Sequence, residues 1–327
     1  MRIIAQSDVE RLLPVARCVD VMRHAMIATS NGNVTLPIRQ FMPISGAPGK
    51  LALMPGTLGD PACFGIKLVC KYDRPHDDPL GTHVGMVLLF DTAKGVPLAM
   101  IEGSSLTAIR TSAASALATQ IMAREDASRL AIIGNGEQAA RHVDAMMAVR
   151  PIRQIDVWGR DRTRAQAFAT ATEARTGIPV TAHGSAKRAV AKADVICTTT
   201  AAKEPVLFGA DLQEGQHINL VGAAIPTSAE VDSEAVRRAR YVVDYRPAAM
   251  AAAGELLNAI ESGVISADHI TGEIGEIAAG SCEGRASPDE ITMYKSLGVA
   301  AQDLASAHAI WSLAEAQKAG TEVDLLG

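Results

Sequence analysis

Four side chains early in the sequence carry charge or proton-transfer chemistry among apolar neighbours. They are Arg39 in Leu36-Pro-Ile-Arg, Lys67 in Gly65-Ile-Lys-Leu-Val, His83 in Gly81-Thr-His-Val-Gly and Arg110 in Leu106-Thr-Ala-Ile-Arg-Thr. Three cations at strand or helix edges can converge on the carboxylate of a small substrate. Taken singly, each reads more readily as a snorkelling or salt-bridged side chain, because long basic residues bury their stems and keep their heads in water. The imidazole of His83 suits a proton donor near neutral pH, and it suits a polar strand end equally well. His217, beside Asn219 in an apolar run, reads as structural.

A second constellation lies in Leu130-Ala-Ile-Ile-Gly-Asn-Gly-Glu-Gln-Ala-Ala140. An apolar run with the β-branched pair Ile132 and Ile133 reads as a buried strand. It meets Gly134-Asn-Gly136 and then a helix-forming segment, 138–149. A dinucleotide pyrophosphate needs this order of strand, glycine turn and helix. Gly134 permits the tight turn, Gly136 lets the backbone approach the phosphates, and the helix start offers free N–H groups at a positive dipole end. Ala139 takes the third small position, where helix and strand pack closely. Gly-x-Gly-x-x-Ala alone is a weak signal, since glycine turns are common; its flanks give it meaning.

Cofactor choice turns on the end of the following strand. An NAD-selective site carries an acid there, about 20 residues past the glycines, to hold the ribose 2′-hydroxyl. Here the segment reads Trp158-Gly-Arg-Asp-Arg-Thr-Arg164. Arg160, Arg162 and Arg164 suit a 2′-phosphate through charge-assisted hydrogen bonds, with Asp161 as a dissenting acid. The competing reading is a solvated, basic helix start. We expect NADPH, with NADH possible.

The elements that must position these residues fall into two patterns. Ser7-x-x-Glu10 has the form of a capping box opening a short helix that Pro14 interrupts, and 15–29 carries a helical stripe of Cys18, Val19, Met22 and Met26 that stops at Asn31-Gly32. Short apolar runs at 39–42, 51–54, 64–70, 84–90 and 96–101, divided by Pro, Gly and Asp, read as an antiparallel hairpin system. A long helix dense in Ala, Ser and Thr follows at 105–123. From Arg129 the pattern changes. Strands at 129–133, 154–158, 194–198, 217–221 and 240–244 alternate with helices at 138–149, 162–175 and 185–192, which implies a doubly wound parallel sheet. A strand at 291–294 leads to a last helix at 300–319, expected to return to the first domain.

Composition narrows the function classes. The chain has 327 residues, 48% hydrophobic and 20% charged, which describes a globular protein with ample core. Its net charge of −5 without a block of like charges argues against nucleic acid as a partner, since phosphate contacts need a concentrated basic face. No apolar run approaches the roughly 18–20 residues of a membrane span. The opening Met1-Arg-Ile-Ile-Ala-Gln-Ser-Asp does not read as a signal peptide. The five cysteines (Cys18, Cys63, Cys70, Cys197 and Cys282) are widely spread, without metal-ligand spacing, and read as reduced thiols in a cytoplasmic protein. No metal is expected.

Along nearly its whole length the sequence resembles the ornithine cyclodeaminase/mu-crystallin family. The matching stretches include Gly65-Ile-Lys-Leu-Val, Leu106-Thr-Ala-Ile-Arg-Thr-Ser-Ala-Ala-Ser-Ala, Ile132-Ile-Gly-Asn-Gly-Glu-Gln-Ala, Gly215-Gln-His-Ile-Asn-Leu-Val-Gly, Gly272-Glu-Ile-Gly-Glu-Ile and Tyr294-Lys-Ser-Leu-Gly-Val-Ala-Ala-Gln-Asp. The resemblance implies an α/β fold: a Rossmann-type doubly wound parallel sheet domain at 109–298, and a discontinuous α+β substrate-binding and dimerisation domain at 1–108 and 299–327. It implies a homodimer. It assigns Arg39, Lys67 and Arg110 to the substrate carboxylate, turns His83 toward the site, and makes Lys67, His83 and Arg110 the catalytic group. To the cofactor we assign Gly134, Asn135, Gly136, Glu137, Gln138, Arg160, Asp161, Arg162, Thr198, Thr199, Val221, Gly222, Lys295 and Ser296.

One departure from the family pattern is informative. Cyclodeaminases carry an aspartate after His-Ile-Asn-x-Val-Gly that handles the substrate δ-amine. Here the segment is Gly222-Ala-Ala-Ile-Pro226, and Ala224 stands at that place in the substrate site. An alanine neither pairs with an ammonium nor moves a proton, so ornithine cyclodeamination is disfavoured. The sequence looks nearest to the bacterial reductases of Δ1-pyrroline-2-carboxylate. The expected activity is hydride transfer to the C=N carbon of a cyclic imino acid, Δ1-pyrroline-2-carboxylate or Δ1-piperideine-2-carboxylate, giving L-proline or L-pipecolate. An alanine or N-alkyl-amino-acid dehydrogenase, a residual cyclodeaminase and a non-catalytic NADPH-bound ligand carrier are the alternatives.

Overall fold

The computed structural model describes residues 1–75, 78, 80–81 and 83–325. The chain forms two compact units: Met1–Arg110 together with the segment from Gly298 onward, and Thr111–Leu297.

The first unit opens with strand β1 (Arg2–Ile4) and helices α1 (Gln6–Leu12) and α2 (Val15–Ser30). Ser7 does not cap α1. The N-cap is Ala5, whose extended backbone turns the chain out of β1, and Ser7 falls inside the first turn. Pro14 is the N-cap of α2, where its missing N–H costs nothing. Six strands follow: β2 (Val34–Thr35), β3 (Gln40–Pro43), β4 (Lys50–Gly59), β5 (Ala62–Lys71), β6 (His83–Phe90) and β7 (Pro97–Glu102). Helix α3 (Gly103–Met122) follows and carries the chain into the second unit. Strand β4 runs well past the apolar run 51–54, through Pro55 and Gly56. Its partners on one side are β3, over Lys50 to Leu53, and β2, over Thr57 and Leu58. Pro55 sits in the gap between them, where a strand needs no N–H.

The second unit holds β8 (Arg129–Ile133), α4 (Glu137–Val149), β9 (Gln154–Trp158), α5 (Arg162–Thr176), β10 (Val180–Ala182), α6 (Ala186–Val190), β11 (Val195–Thr198), β12 (His217–Leu220), α7 (Ser233–Arg238), β13 (Arg240–Val243), α8 (Arg246–Ala252), α9 (Gly254–Glu261), β14 (Ile270–Glu273), α10 (Ile274–Ala278) and β15 (Thr292–Lys295). The chain then re-enters the first unit with α11 (Ala300–Gln317) and β16 (Thr321–Glu322).

In the first unit the sheet order is β16-β1-β7-β6-β5-β4-β2, with β3 also on β4. The strands β2 to β7 pair antiparallel, as the hairpin pattern implies. Strand β1 adds to β7 in parallel, and its three residues carry no periodic signal in the sequence. Helices α2 and α11 cover one face. Gly65 lets α11 come close: a Cβ there would lie 2.9 Å from Leu304. The opposite face presents Leu51 and Leu53 of β4, Ile66 and Leu68 of β5, and Val84 and Met86 of β6, all half-buried or exposed.

The second unit is a wholly parallel sheet in the order β10-β9-β8-β11-β12-β15-β13-β14. Strands β8, β11, β12, β13 and β15 are buried on both faces, and Ile133, Ile196, Leu220, Tyr241 and Met293 share one core with the helices. This is the doubly wound sheet expected from the strand–helix alternation. Strand β15 comes last in sequence yet lies between β12 and β13. Strand order reverses beside β8, whose neighbours are β9 and β11. Such a switch point leaves a crevice at the carboxyl ends of the strands. Among the described residues no helix is long and apolar enough to cross a membrane, and all five cysteines are free thiols.

Candidate active site

In the first unit, alternation along β5 puts Gly65, Lys67, Val69 and Lys71 on the face beneath α11. Lys67 is therefore a buried cation, 3% exposed. Its ammonium donates to Asp303 Oδ1 at 2.9 Å, from the first turn of α11. Arg110, on α3 and equally buried, donates Nε–H to the same oxygen at 2.9 Å and Nη1–H to Gln302 at 2.9 Å. Just before α11, Gly298 has φ +76°, and a Cβ there would come within 2.7 Å of the Arg110 guanidinium. The Gly298 carbonyl also accepts from Arg39 Nη2 at 2.8 Å. One glycine thus supplies an acceptor for one guanidinium and room for another.

These four side chains set three positive charges against one negative. Burial pulls the Lys67 pKa down, Asp303 holds it up, and Arg110 and Arg39 press it down again, leaving it at about 8. Burial alone would raise the Asp303 carboxyl, but Arg110 and Lys67 outweigh it and keep the pKa below the usual carboxylate range. Asp303 Oδ2 is buried and has no hydrogen-bond partner. His83 stands across the strand pair from Lys71. Its side chain is open to solvent on one side, yet enclosure by protein, then Lys71 and Lys67, draw its pKa to about 4. Three cations around one carboxylate, with an imidazole nearby whose pKa is drawn down, make a setting whose chemistry suits a carboxylate ligand.

In the second unit the predicted cofactor residues gather at the carboxyl ends of β8, β9, β11, β12 and β15. Gly134 takes φ +125°, with its N–H on the Trp158 carbonyl at 2.7 Å, and a Cβ there would lie 2.6 Å from Thr199 Oγ1. Gly136 is the N-cap of α4 and brings no capping side chain, so the first N–H groups of a 13-residue helix stay available. Open space lies where its Cβ would be. Asn135 Nδ2 and Gln138 Oε1 are buried there without partners, and Glu137 opens the helix. This turn fits a pyrophosphate.

Other assigned residues sit differently. Arg160 is exposed just after β9 and Arg162 is exposed at the first position of α5, whereas Asp161 caps α5 by accepting from Arg164 N at 3.0 Å. Thr198 is buried and donates to Glu230 at 2.7 Å; Glu230 also accepts from Thr200 and from the N–H of Gly222 at 2.7 Å. Thr199 N–H bonds Ile133 O at 2.8 Å and Val221 N–H bonds Thr198 O at 3.1 Å, which ties the loops to the strand ends. Lys295 is fully buried, ion-paired with Glu255 at 2.6 Å, and donates to the Ala223 carbonyl. Ser296 is buried with its hydroxyl unpartnered. Ala224 is half-buried against the sheet core.

Sequence reasoning passed over Asp303, Gln302, Gly298 and Glu230. The signal for the first two was available: Gln302-Asp303 is a polar pair in the Ala-rich run Ala300-Ala-Gln-Asp-Leu-Ala-Ser-Ala. Glu230 lies in a loop and gave no pattern.

The profile of the ornithine cyclodeaminase/mu-crystallin family matches residues 1–318. The chain belongs to that family. Among its members, a Δ1-pyrroline-2-carboxylate reductase of Bacillus cereus is 34% identical over 99% of this chain and 100% of its own length. Two solved members superpose closely. The Δ1-pyrroline-2-carboxylate reductase of Thermococcus litoralis, in complex with NADH and L-proline, has a TM-score of 0.94 at 34% identity, covering 99% of this chain and 100% of that one. An archaeal alanine dehydrogenase dimer with bound NAD has a TM-score of 0.92 at 30% identity, covering 100% and 99%. The ornithine cyclodeaminase/mu-crystallin fold is thus a Rossmann-type domain joined to a second domain, as seen here.

Proposed function

We propose that this protein is an NAD(P)H-dependent ketimine reductase that reduces cyclic 2-imino acids, Δ1-pyrroline-2-carboxylate to L-proline and its six-membered homologue to L-pipecolate. The observation that carries this reading is the buried cluster in which Lys67 and Arg110 share Asp303, with Arg39 on Gly298. There three cations stand around one carboxylate, and that balance of charge suits a carboxylate ligand. The two solved relatives support the reading, one holding L-proline and NADH and the other NAD.

The nicotinamide dinucleotide, when bound, supplies the hydride. The residues that would hold it are Gly134 to Gln138 at its pyrophosphate, with Arg160 and Arg162 at a 2′-phosphate, and Asp161 is already engaged as a helix cap. We therefore retain NADPH over NADH. The rest of the chemistry falls to side chains of this chain. Arg39, Lys67 and Arg110 grip the acid group and fix the imine carbon in one orientation, and such positioning supplies a large part of the rate enhancement. The imine nitrogen takes one proton as its carbon takes the hydride, so the C=N bond becomes C–H and N–H. His83 or a bound water supplies that proton; the fields of Lys71 and Lys67 on His83 support the imidazole, whose pKa would rise once the substrate carboxylate offsets those cations. Ala224 offers neither charge nor proton, which sets ornithine cyclodeamination aside.

A second copy of the chain completes the assembly. The sheet face of Leu51, Leu53, Ile66, Leu68, Val84 and Met86 is apolar and uncovered, and a contiguous patch of that kind marks an interface. We assign it to a homodimer.

An open-chain imine of a 2-oxo acid offers the same carboxylate and C=N bond, and likeness to the alanine dehydrogenase makes this the second reading. A panel of Δ1-pyrroline-2-carboxylate, Δ1-piperideine-2-carboxylate, pyruvate with ammonia or methylamine, and L-ornithine, assayed by NADPH oxidation and ammonia release, separates them. Cyclic imines turning over fastest supports the proposal, and pyruvate with ammonia turning over fastest replaces it.

A further inference from the structure

We infer that Asp303 is a positioning residue of this site: one carboxylate oxygen fixes both the Lys67 ammonium and the Arg110 guanidinium, so that the two cations present one shared geometry to a carboxylate ligand. The inference rests on the carboxylate-binding part of the function proposed above.

The geometry is specific. Lys67 lies on a central strand, Arg110 on α3, and Asp303 on α11, and both donors meet Oδ1 at 2.9 Å while Oδ2 has no partner. All three side chains are buried, where hydrogen bonds to ions are strong and competing water is scarce. An ammonium on a four-carbon stem has three rotatable donors and no preferred direction of its own. Asp303 takes one of them and thereby aims the others. Gln302, its neighbour on the helix, takes a second Arg110 N–H at 2.9 Å and fixes the plane of the guanidinium. The groups facing Lys67 are Asp303 from α11, Arg110 from α3, Arg39 from the segment before β3, and His83 from β6. Asp303 is the negative member of that set. Its charge favours protonated Lys67 against burial and two guanidinium groups.

The test uses the whole protein, with L-proline as the carboxylate probe, titrated calorimetrically from pH 6 to 10 with and without NADP+. For the natural protein we expect binding that weakens as pH rises through about 8, where Lys67 loses its proton. For Asp303→Asn, which keeps the shape and removes the charge, the alkaline limb should move to lower pH by about one to three units. A merely structural role would weaken binding equally at every pH. Asp303→Glu keeps the charge but displaces it by one methylene. We expect it to hold the limb near that of the natural protein while imine turnover falls by about 10²-fold, as small misplacements do. It also serves as the test should Asp303→Asn fail to fold. An unmoved limb in Asp303→Asn, full turnover in Asp303→Glu, or no binding of L-proline by the natural protein would each overturn the inference. Binding with the expected limb and shift, but no reduction of any cyclic imine, would sink the proposed function and leave the role of Asp303 standing.

Discussion

Lys67 and Asp303 are 236 residues apart in the chain, yet their side chains meet at 2.9 Å and are only 3% and 1% exposed. A buried ion pair is weak evidence for stability, because removing two charges from water offsets most of their attraction. What the pair does provide is a fixed direction for a cation. The last helix of the first unit, reached only after the whole second unit, brings the acid that the early cations need.

If those cations grip the substrate, trimming one should cost turnover and leave the dinucleotide alone. Replacing Arg110 with Ala should lower kcat/KM for Δ1-pyrroline-2-carboxylate by about 10²-fold or more, since orientation and charge are lost together. NADPH affinity, measured by fluorescence titration, should stay within about twofold of the natural protein. Near-normal kcat/KM would remove Arg110 from the clamp.

How far the sequence alone reaches is visible in these same residues. Lys67 and Arg110 stood out as cations in apolar runs, and the choice between salt bridge and substrate clamp stayed open. The structure shows both in ion pairs with one shared carboxylate oxygen. Asp303 was invisible as their partner because its spacing from them spans the whole second unit, and no local rule covers such a distance. The glycine turn of 134–136 and the parallel sheet were legible, because strand, turn and helix signals there are adjacent and periodic. Strands β1, β10 and β14 were not, since three or four residues carry too little pattern and pairing within the sheet decides them. Lys295 follows a predicted strand end, a place that suggests a cofactor contact. Its pairing with Glu255, buried with it, depends on α9, which the sequence did not announce.

The pH profile should carry two marks. Lys67 is charged below about pH 8 and neutral above it, so KM for the imine should rise as pH passes 8. On stability the sign is opposite. The folded pKa lies below the ordinary 10.5, so between about 8 and 10.5 the unfolded chain holds the proton more tightly, and the contribution of this group to stability grows as pH rises. His83, held near 4, should produce no break in the substrate-free kcat/KM profile around 6.5. Such a break, abolished in His83→Gln, would contradict the electrostatic picture.

Cofactor choice should respond to the exposed guanidinium groups after β9. Changing Arg160 and Arg162 together to Ser should reduce the preference for NADPH over NADH by about tenfold or more, because each charge-assisted contact to a phosphate contributes roughly 1.5–3 kcal/mol. Initial rates with each dinucleotide at equal concentration read this directly. A natural protein that uses NADH better than NADPH would refute the assignment.

The uncovered sheet face should hold two copies together. Leu68→Asp, with Ile66→Asp as a second substitution, places charge on a surface that must lose water on pairing. Sedimentation equilibrium should show a dimer for the natural protein and a monomer, or a much weakened dimer, for the variants. A natural protein that sediments as a monomer would leave this face without its proposed partner.

The most direct measurement of the central claim is the stereochemical outcome of imine reduction. The purified protein is mixed with NADPH and Δ1-pyrroline-2-carboxylate, dinucleotide oxidation is followed, and the product is resolved by chiral chromatography. The account predicts one L-proline formed per NADPH consumed, with loss of the rate in Arg110→Ala. No oxidation above the rate without enzyme, or a rate unchanged in Arg110→Ala, would contradict it.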